Sequence, residues 1–212
     1  MIQLIAFLGN YGREYAATRH NTAWQFAESL PYSDRLSWQR KFKGQFAAMS
    51  AAEFMQIAAP ERSLSANAPD RLFFLKPETY MNLSGEAIGE AAQFYKIQPD
   101  GILVVHDELE LPLGTVSLKW SGGLGGHNGL RSAKAQLGTA DFWRLRFGIG
   151  RPEHRNIADY VLAPFTEEER IVLSQVFPQA AQLFAKVLLA SDPARLLSEW
   201  VKWSQMKKKL AL

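Results

Sequence analysis

The chain has 212 residues and a formal net charge of +3, because 24 lysines and arginines stand against 21 aspartates and glutamates. Hydrophobic residues make up 47% of it, which at so small a net charge excludes an intrinsically disordered chain. The absence of cysteine excludes disulfides, a thiolate nucleophile and Cys-ligated metals, and no apolar run reaches the roughly 18 residues of a transmembrane helix.

The N-terminal half alternates apolar strand patterns with one-sided helical patterns. Residues 2–8 are almost continuously apolar and predict a buried strand, and they lack the basic start and cleavage site of a secretory signal. A helix is expected over 21–30, with Asn21 or Thr22 as its N-cap. The remaining patterns predict a strand over 45–55, a surface loop over 59–70, a strand over 72–75 and a helix from the capping residue Ser84 to about Lys96.

The C-terminal half continues this alternation. Its patterns predict strands over 102–105, 115–120 and 145–149, and a glycine-rich loop over 122–129 followed by a helix over 130–137. From Thr166 onward the pattern is helical, with glutamates in the first turn, where negative charge suits the helix dipole. Pro178 is expected to kink or split that helix. A last helix is expected from about Pro193 to Lys209.

This order of elements predicts an α/β fold, a twisted mixed sheet with helices packed on both faces. Neither a linker nor an internal repeat divides the chain, so we expect residues 1–212 to form a single domain. The lack of cysteine and of a secretory signal favours the cytoplasm. Basic residues cluster over 35–43 and 202–209, but charge alone favours a solvated surface over a polyanionic partner.

Candidate functional residues follow the predicted strands, because ligands of open α/β sheets bind beyond the carboxyl ends of the strands. Asn10 follows the first strand, Asp107 follows His106 after another, and the glycine-rich loop follows a third. His20 and Asn82 lie just before predicted helices. These positions supply imidazoles, a carboxylate and amides to one edge of the sheet.

Several common sites are excluded directly. The dinucleotide fingerprint Gly-x-Gly-x-x-Gly fails because residue 128 is asparagine, and neither a P-loop nor a Gly-x-Ser-x-Gly elbow occurs. The four histidines show no metal-ligand spacing. A His–Asp pair remains, which can activate water as a general base. We therefore predict direct attack by water on an activated acyl group such as an ester, without metal or organic cofactor.

Six blocks of the sequence carry a resemblance to a known family. They are LGNYG (8–12), YAATRHN (15–21), KPETYMNLSG (76–85), VHDELELP (105–112), GGHNGL (125–130) and WRLRFGIGRP (143–152). These blocks resemble bacterial peptidyl-tRNA hydrolases, and the resemblance extends over residues 2–165 in the family's order. It implies an enzyme that hydrolyses the ester between a peptide, or an N-blocked aminoacyl group, and the 3′-terminal ribose of tRNA, and so recycles tRNA from aborted translation.

The resemblance also implies roles for individual residues. His20 is expected to be the base that activates water, Asp107 to hold and polarise His20, and Asn10 to contact the peptide end and help distinguish blocked from free aminoacyl-tRNA. The residues expected to bind substrate or the tRNA 3′ end are Tyr15, Tyr80, Asn82 and Asn128. Lys119 and Arg146 match basic positions that clamp a tRNA phosphate, a contact that positions RNA without reading its sequence. A monomer with no membrane partner is expected.

Alternatives remain at this stage. Asn10 is also a common turn residue, Asn82 and Asn128 are also common helix caps, and His106 and His127 fit packing as well as support of the site. The whole chain also fits a noncatalytic RNA-binding protein of the same fold, which would have no need of a His–Asp pair. Tyr11 stands where the family usually has proline, and the 59–70 stretch is longer than usual.

Overall fold

A computed structural model of the chain describes residues 1–61, 68–152 and 156–202. Within these ranges eight strands form one sheet, in the order β2-β3-β4-β1-β5-β7-β6-β8. The strands are β1 Leu4–Phe7, β2 Gln39–Lys41, β3 Gly44–Ser50, β4 Arg71–Pro77, β5 Ile102–Glu108, β6 Thr115–Trp120, β7 Trp143–Gly148 and β8 Trp200–Lys202.

The centre of the sheet is parallel and its two flanks are antiparallel. Strands β4, β1, β5 and β7 run in one direction, whereas β2 and β3 on one side and β6 and β8 on the other form antiparallel pairs. The sheet is therefore mixed, as predicted. The carboxyl ends of the four parallel strands lie at one edge, where side chains from distant parts of the sequence meet.

Helices cover both faces of the sheet, because alternate residues of each strand point to opposite sides. Ile5 and Phe7 pack into one apolar cluster, with residues of the helices α1 (Thr22–Ser29), α2 (Ala51–Ala58) and α6 (Glu167–Leu189). Leu4 and Ala6 pack into a second cluster, with residues of α3 (Ser84–Tyr95) and α4 (Asn128–Leu137). The predicted α/β fold with helices on both faces is confirmed. A further helix is α5, Ile157–Leu162.

The long helix α6 is a core element. Thr166 and Glu169 form a capping box at its start, and the helix continues across Pro178 without the predicted split. By length and composition α6 is apolar enough to cross a membrane, but 56% of its most apolar stretch is buried inside the protein. Val176, Ala180 and Phe184 have no exposed surface, so its apolar character is explained by packing on the sheet.

Two predicted elements are wrong. The predicted strand over 45–55 ends at Ser50, whose side chain accepts a hydrogen bond from the backbone N–H of Glu53 and starts α2. The predicted helix over 193–209 is only a 3₁₀ turn, Pro193–Leu196, followed by β8. There Val201 enters the core and β8 pairs with the edge of β6, a long-range contact that local periodicity does not reveal. Residues 203–209 lie outside the described ranges, as do residues 62–67 of the predicted loop.

Helix starts also differ in detail from the prediction. α3 begins at Ser84, but its N-cap position is Leu83 and no side chain caps it. Asn21 does occupy the N-cap position of α1, yet its side chain makes no capping hydrogen bond. The side chain of Asn21 binds the loop after β1 instead, as described below.

Replacing Gly85 by alanine is expected to destabilise the fold. A Cβ atom at Gly85 would lie 2.1 Å from the carbonyl oxygen of Ser132, so α3 and α4 would have to separate. Overpacking of this kind costs about 1–3 kcal/mol. Denaturant unfolding measures the loss. Gly89→Ala is the matched control on the same helix, since the closest atom to its Cβ would be Cβ of Gln136, at 3.2 Å, and the nearest backbone atom would be 4.0 Å away. Equal stability of the two variants would contradict the close packing.

Candidate active site

A cavity of about 510 Å³ lies at the carboxyl edge of the parallel strands. It is lined by seven of the nine predicted site residues: Asn10, Tyr15, His20, Tyr80, Asn82, Asp107 and Asn128. Lys119 and Arg146 are not among its lining residues. The fold therefore brings the predicted catalytic and substrate-binding groups together, and holds the two predicted phosphate contacts apart from them.

His20 and Asp107 form a direct pair. His20 belongs to a 3₁₀ turn, Arg19–Asn21, that leads into α1, while Asp107 is near the end of β5. The two atoms His20 Nδ1 and Asp107 Oδ1 are 2.8 Å apart. An ionised carboxylate only accepts hydrogen bonds, so Nδ1 carries the proton and the lone pair of Nε2 is left for a substrate. His20 Nε2 makes no hydrogen bond within the described part of the chain.

The pKa values of this pair favour a base held by a charged carboxylate. Burial opposes the cationic form of His20, but the negative charge and hydrogen bond of Asp107 outweigh it and raise its pKa above the ordinary 6.5. Burial by itself would raise the pKa of Asp107, yet the neighbouring imidazoles hold it below its usual range. Asp107 thus stays ionised at neutral pH and can stabilise the cationic form of His20.

His127 is a second imidazole on the same carboxylate. Its Nδ1 accepts hydrogen bonds from the backbone N–H groups of Gly129 and Leu130, at 3.1 and 3.4 Å, and so caps the start of α4. The proton therefore lies on Nε2, which donates to Asp107 Oδ1 at 2.9 Å. His127 fixes Asp107 against the glycine-rich loop, which supports the reading of this residue as part of the site.

Asn10 is held by a set of amide hydrogen bonds. Asn21 accepts from the backbone N–H of Asn10 at 2.8 Å and donates to its carbonyl oxygen at 2.9 Å. Asn10 Oδ1 accepts from the backbone N–H of Met81 at 2.8 Å. Only the Nδ2 group of Asn10 remains without a partner among the described residues. The side chain is therefore both a loop former and a donor that faces the cavity.

The remaining cavity residues are more open to solvent. Asn82 and Asn128 are exposed, Tyr15 is half-buried, and Tyr80 is 62% exposed at the rim. Asn128 is the first residue of α4, but His127 is the residue that caps that helix. The capping alternative for Asn128 is therefore wrong. Asn128 lines the cavity, and its Oδ1 accepts a hydrogen bond from Arg131 at 3.5 Å. Asn82 lies in a 3₁₀ turn before α3, and its side chain does not cap that helix either.

The three groups His20, Asp107 and His127 are also of the types that bind metals, and their ligand atoms lie within 4.8 Å of one another. His127 Nε2 has no lone pair for a metal while its Nδ1 accepts backbone N–H groups. The hydrogen bonds already account for the arrangement. That the site works without metal or organic cofactor stays a prediction.

Comparison with known proteins shows which family the chain belongs to. A sequence model of the family described as peptidyl-tRNA hydrolase matches residues 4–209. The chain belongs to the peptidyl-tRNA hydrolase family. It is 46% identical over 205 residues to the peptidyl-tRNA hydrolase of Treponema pallidum, with 95% of each chain covered. It is 44% identical to that of Desulfitobacterium hafniense, covering 87% of this chain and 94% of the relative. The crystal structure of peptidyl-tRNA hydrolase from Acinetobacter baumannii is similar at a TM-score of 0.76 and 32% identity, over 92% of each chain.

Sequence reasoning missed two buried arginines that hold this peptidyl-tRNA hydrolase site in place. Arg19 precedes the predicted base, donates to the carbonyl oxygens of Ala163 and Pro164, and pairs with Glu169. It thus ties the turn that carries His20 to the start of α6. The residues around Arg19 in the sequence give no sign that its side chain is buried. From the sequence alone, Arg19 cannot be distinguished from an arginine on the surface.

Arg144 supports the glycine-rich loop. Arg144 lies on β7, and its guanidinium donates to the carbonyl oxygens of Gly123 at 2.8 Å and Gly122 at 3.0 Å. Lys119 and Arg146 lie on the same face of the sheet as Arg144, since Lys119 is opposite Arg144 and Arg146 is opposite Ser117. The glycine-rich segment is therefore a loop anchored at its start by Arg144 and at its end by His127.

Removing the charge of Asp107 is expected to lower the pKa of His20. In Asp107→Asn the attraction and the charge-assisted hydrogen bond that raise this pKa are lost, while burial still opposes the cation. NMR titration of ring-labelled histidine measures the midpoint. Asp100→Asn is the control, because Asp100 is an exposed carboxylate at the opposite end of β5. An unchanged His20 midpoint in Asp107→Asn would contradict the assigned cause.

Proposed function

We propose that this chain hydrolyses peptidyl-tRNA, as its family membership indicates, and that His20 acts as the general base on water. The observation that carries the mechanism is which ring nitrogen of His20 is bound and which is free. Nδ1–H is bound to the buried Asp107 carboxylate, whereas Nε2 has no partner among the described residues, and His20 lines the cavity. A general base needs this arrangement, since it must present a lone pair and then hold a positive charge.

The proposed reaction proceeds in two steps. His20 Nε2 takes a proton from water as the water oxygen attacks the ester carbonyl carbon, and Asp107 stabilises the imidazolium that forms. The tetrahedral intermediate then collapses, the bond to the 3′-terminal ribose oxygen breaks, and His20 returns the proton to that oxygen. The products are tRNA with a 3′-terminal hydroxyl and a peptide carboxylic acid, which ionises to the carboxylate and releases its proton to solvent, and the enzyme is restored.

The amides and aromatic rings around the cavity suit the two ends of the substrate. Asn10 Nδ2 is a fixed donor, which supports binding of a carbonyl group of the peptide, and the exposed amides of Asn82 and Asn128 support contacts around the ester. Tyr15 and Tyr80 offer rings on which the unpaired bases of the tRNA 3′ end can stack. Asn10 is proposed to help select a blocked over a free aminoacyl group.

Lys119 and Arg146 are proposed to bind a phosphate of the tRNA away from the cavity. Burial lowers the pKa of Lys119, and the positive charges of Arg146 and Arg144 lower it further against the opposing effect of Glu108. Mutual repulsion of this kind indicates an excess of positive charge, which an anionic group would relieve. Phosphate contacts position RNA without reading sequence, as a substrate class of many tRNAs requires.

The unpartnered base also decides against the alternative function, a noncatalytic RNA-binding protein. Pure binding gives no reason to bury an ionised carboxylate against two imidazoles, an arrangement that costs desolvation free energy. We further propose a monomeric, cytoplasmic protein that forms one domain over residues 1–212 and has no membrane partner. Each of these properties stays a prediction.

Removal of the proposed base is expected to slow hydrolysis strongly. His20→Ala should lower the rate on N-acetyl-aminoacyl-tRNA by at least about 10²-fold, because a positioned general base contributes about 10²–10⁴-fold. Release of the acetyl-amino acid measures the rate, and tRNA binding and thermal unfolding serve as controls for the fold. A rate equal to that of the wild type would refute the mechanism, whereas binding without turnover by the wild type would favour the noncatalytic alternative.

Loss of the Lys119 charge is expected to weaken tRNA binding and flatten its salt dependence. Each phosphate contact contributes about 0.7–0.9 to the slope of log affinity against log salt, so Lys119→Ala should lose about that amount. Arg170→Ala is the control, since Arg170 is exposed on α6 across the sheet. Fluorescence titration at several salt concentrations gives both slopes. If Lys119→Ala keeps the wild-type slope, Lys119 makes no phosphate contact.

A further inference from the structure

The edge strand β8 places an aromatic ring and a cation beside the proposed phosphate site. β8 pairs with β6 in the register Thr115↔Lys202, Val116↔Val201 and Ser117↔Trp200. Residues directly opposite each other in an antiparallel pair share a face of the sheet. Val201 enters the core, so Trp200 and Lys202 lie on the other face.

That face is the one that carries Lys119 and Arg146. Ser117 is opposite Trp200 on one side and Arg146 on the other, so the three residues form one row across β8, β6 and β7. Ser117 is small and fully buried in the middle of the row. The long side chains on either side therefore reach toward each other above it.

The Trp200 ring lies close to two cations. The guanidinium carbon of Arg146 is 6.0 Å from the centre of the Trp200 ring, and Lys202 Nζ is 5.2 Å from it. The Trp200 indole N–H donates to the carbonyl oxygen of Leu197 at 3.3 Å, which fixes the ring, and the residue remains 40% exposed. An exposed, anchored ring with two cations nearby is a surface typical of nucleic-acid contact.

The charge of this surface is positive overall. The carboxylate of Glu108 is 3.6 Å from Arg146, but Lys202 forms no ion pair within the described residues and is exposed. Lys119, Arg146 and Lys202 thus face one nearby carboxylate. This excess of positive charge favours a polyanion as the partner over an uncharged surface of another protein.

The surface is too long for a single phosphate. Lys202 is opposite Thr115, four residues along β6 from Lys119, which corresponds to about 13 Å at the rise of a strand. The register also shows which end of this surface lies nearer the candidate active site. Val201, Val116, Phe147 and Asp107 form one row across the sheet, so β8 is level with the carboxylate of the site, and Lys119 lies further from that edge.

We propose that Trp200 and Lys202 extend the Lys119–Arg146 site into a track for the RNA backbone of the tRNA acceptor stem. Lys202 contacts a second phosphate closer to the cavity, and Trp200 packs on the adjoining sugar while holding the Arg146 guanidinium in place. The track leads the RNA toward the edge of the sheet where His20 and Asp107 lie. This proposal rests on tRNA as the partner in the proposed function.

The test separates the charge from the ring, with deacylated tRNA as the probe. Lys202→Gln should lower the slope of log affinity against log salt by about 0.7–0.9, as expected for one lost phosphate contact. Trp200→Leu should weaken binding about two- to fivefold with an unchanged slope, because an exposed cation–π contact is lost but no charge. Arg170→Gln is the charge-matched control on the opposite face and should keep the wild-type slope.

Each outcome decides the proposal independently of the enzymatic function. Lys202→Gln with the slope of Arg170→Gln overturns the track, even if the wild type hydrolyses N-acetyl-aminoacyl-tRNA. Conversely, a lowered slope supports the track even if hydrolysis fails. Thermal unfolding checks each variant, and Lys202→Glu gives a second reading, since charge reversal should lower affinity more than Lys202→Gln if a phosphate is near.

Discussion

A single buried negative charge, the carboxylate of Asp107, organises this protein. It is 2% exposed, and burial of an ion without partners would cost several kcal/mol. Hydrogen bonds from two imidazole N–H groups offset this cost, one from His20 at 2.8 Å and one from His127 at 2.9 Å. Each of these histidines is itself fixed by a different element, a 3₁₀ turn before α1 and the first turn of α4. The carboxylate therefore joins both faces of the sheet at the edge where the candidate active site lies. The lone pair on His20 Nε2 is available because Nδ1–H is the group that binds Asp107.

Backbone groups hold the rest of the site at that same edge. Asn21 binds both backbone groups of Asn10, and Asn10 in turn binds the N–H of Met81, so the loops after β1 and β4 are connected. Asn21 is fully buried and uses both ends of its amide for structure, whereas Asn10 uses its amide oxygen for structure and keeps its Nδ2 group for the cavity. The question of whether Asn10 is a turn former or a functional residue therefore has no single answer. Its oxygen and backbone serve the fold, and its Nδ2 is available to a substrate.

The fold also separates the cavity from the excess cations. The cavity is lined by amides, aromatic rings, the His–Asp pair and Arg151, which is paired with Glu110. Lys119, Arg146 and Lys202 lie instead on β6, β7 and β8 and are not among the lining residues. A net charge of only +3 is compatible with an RNA substrate if binding depends on a local cluster of charge, and the cations proposed to bind the RNA are concentrated on β6, β7 and β8.

The sequence by itself determined the α/β class, the positions of most buried strands and the residue types at their carboxyl ends, because apolar runs and strand-end polarity are local signals. The family blocks further determined which histidine and aspartate to pair, and the structure places those two side chains in contact. Only the tertiary structure decided the strand β8, the helix α2 and the roles of Arg19, Arg144 and His127. Val201 is buried because β6 offers a free edge, and Arg19 and Arg144 are buried because distant carbonyl oxygens accept their N–H groups. Such partners are far apart along the chain, so no window of the sequence contains both halves of the interaction.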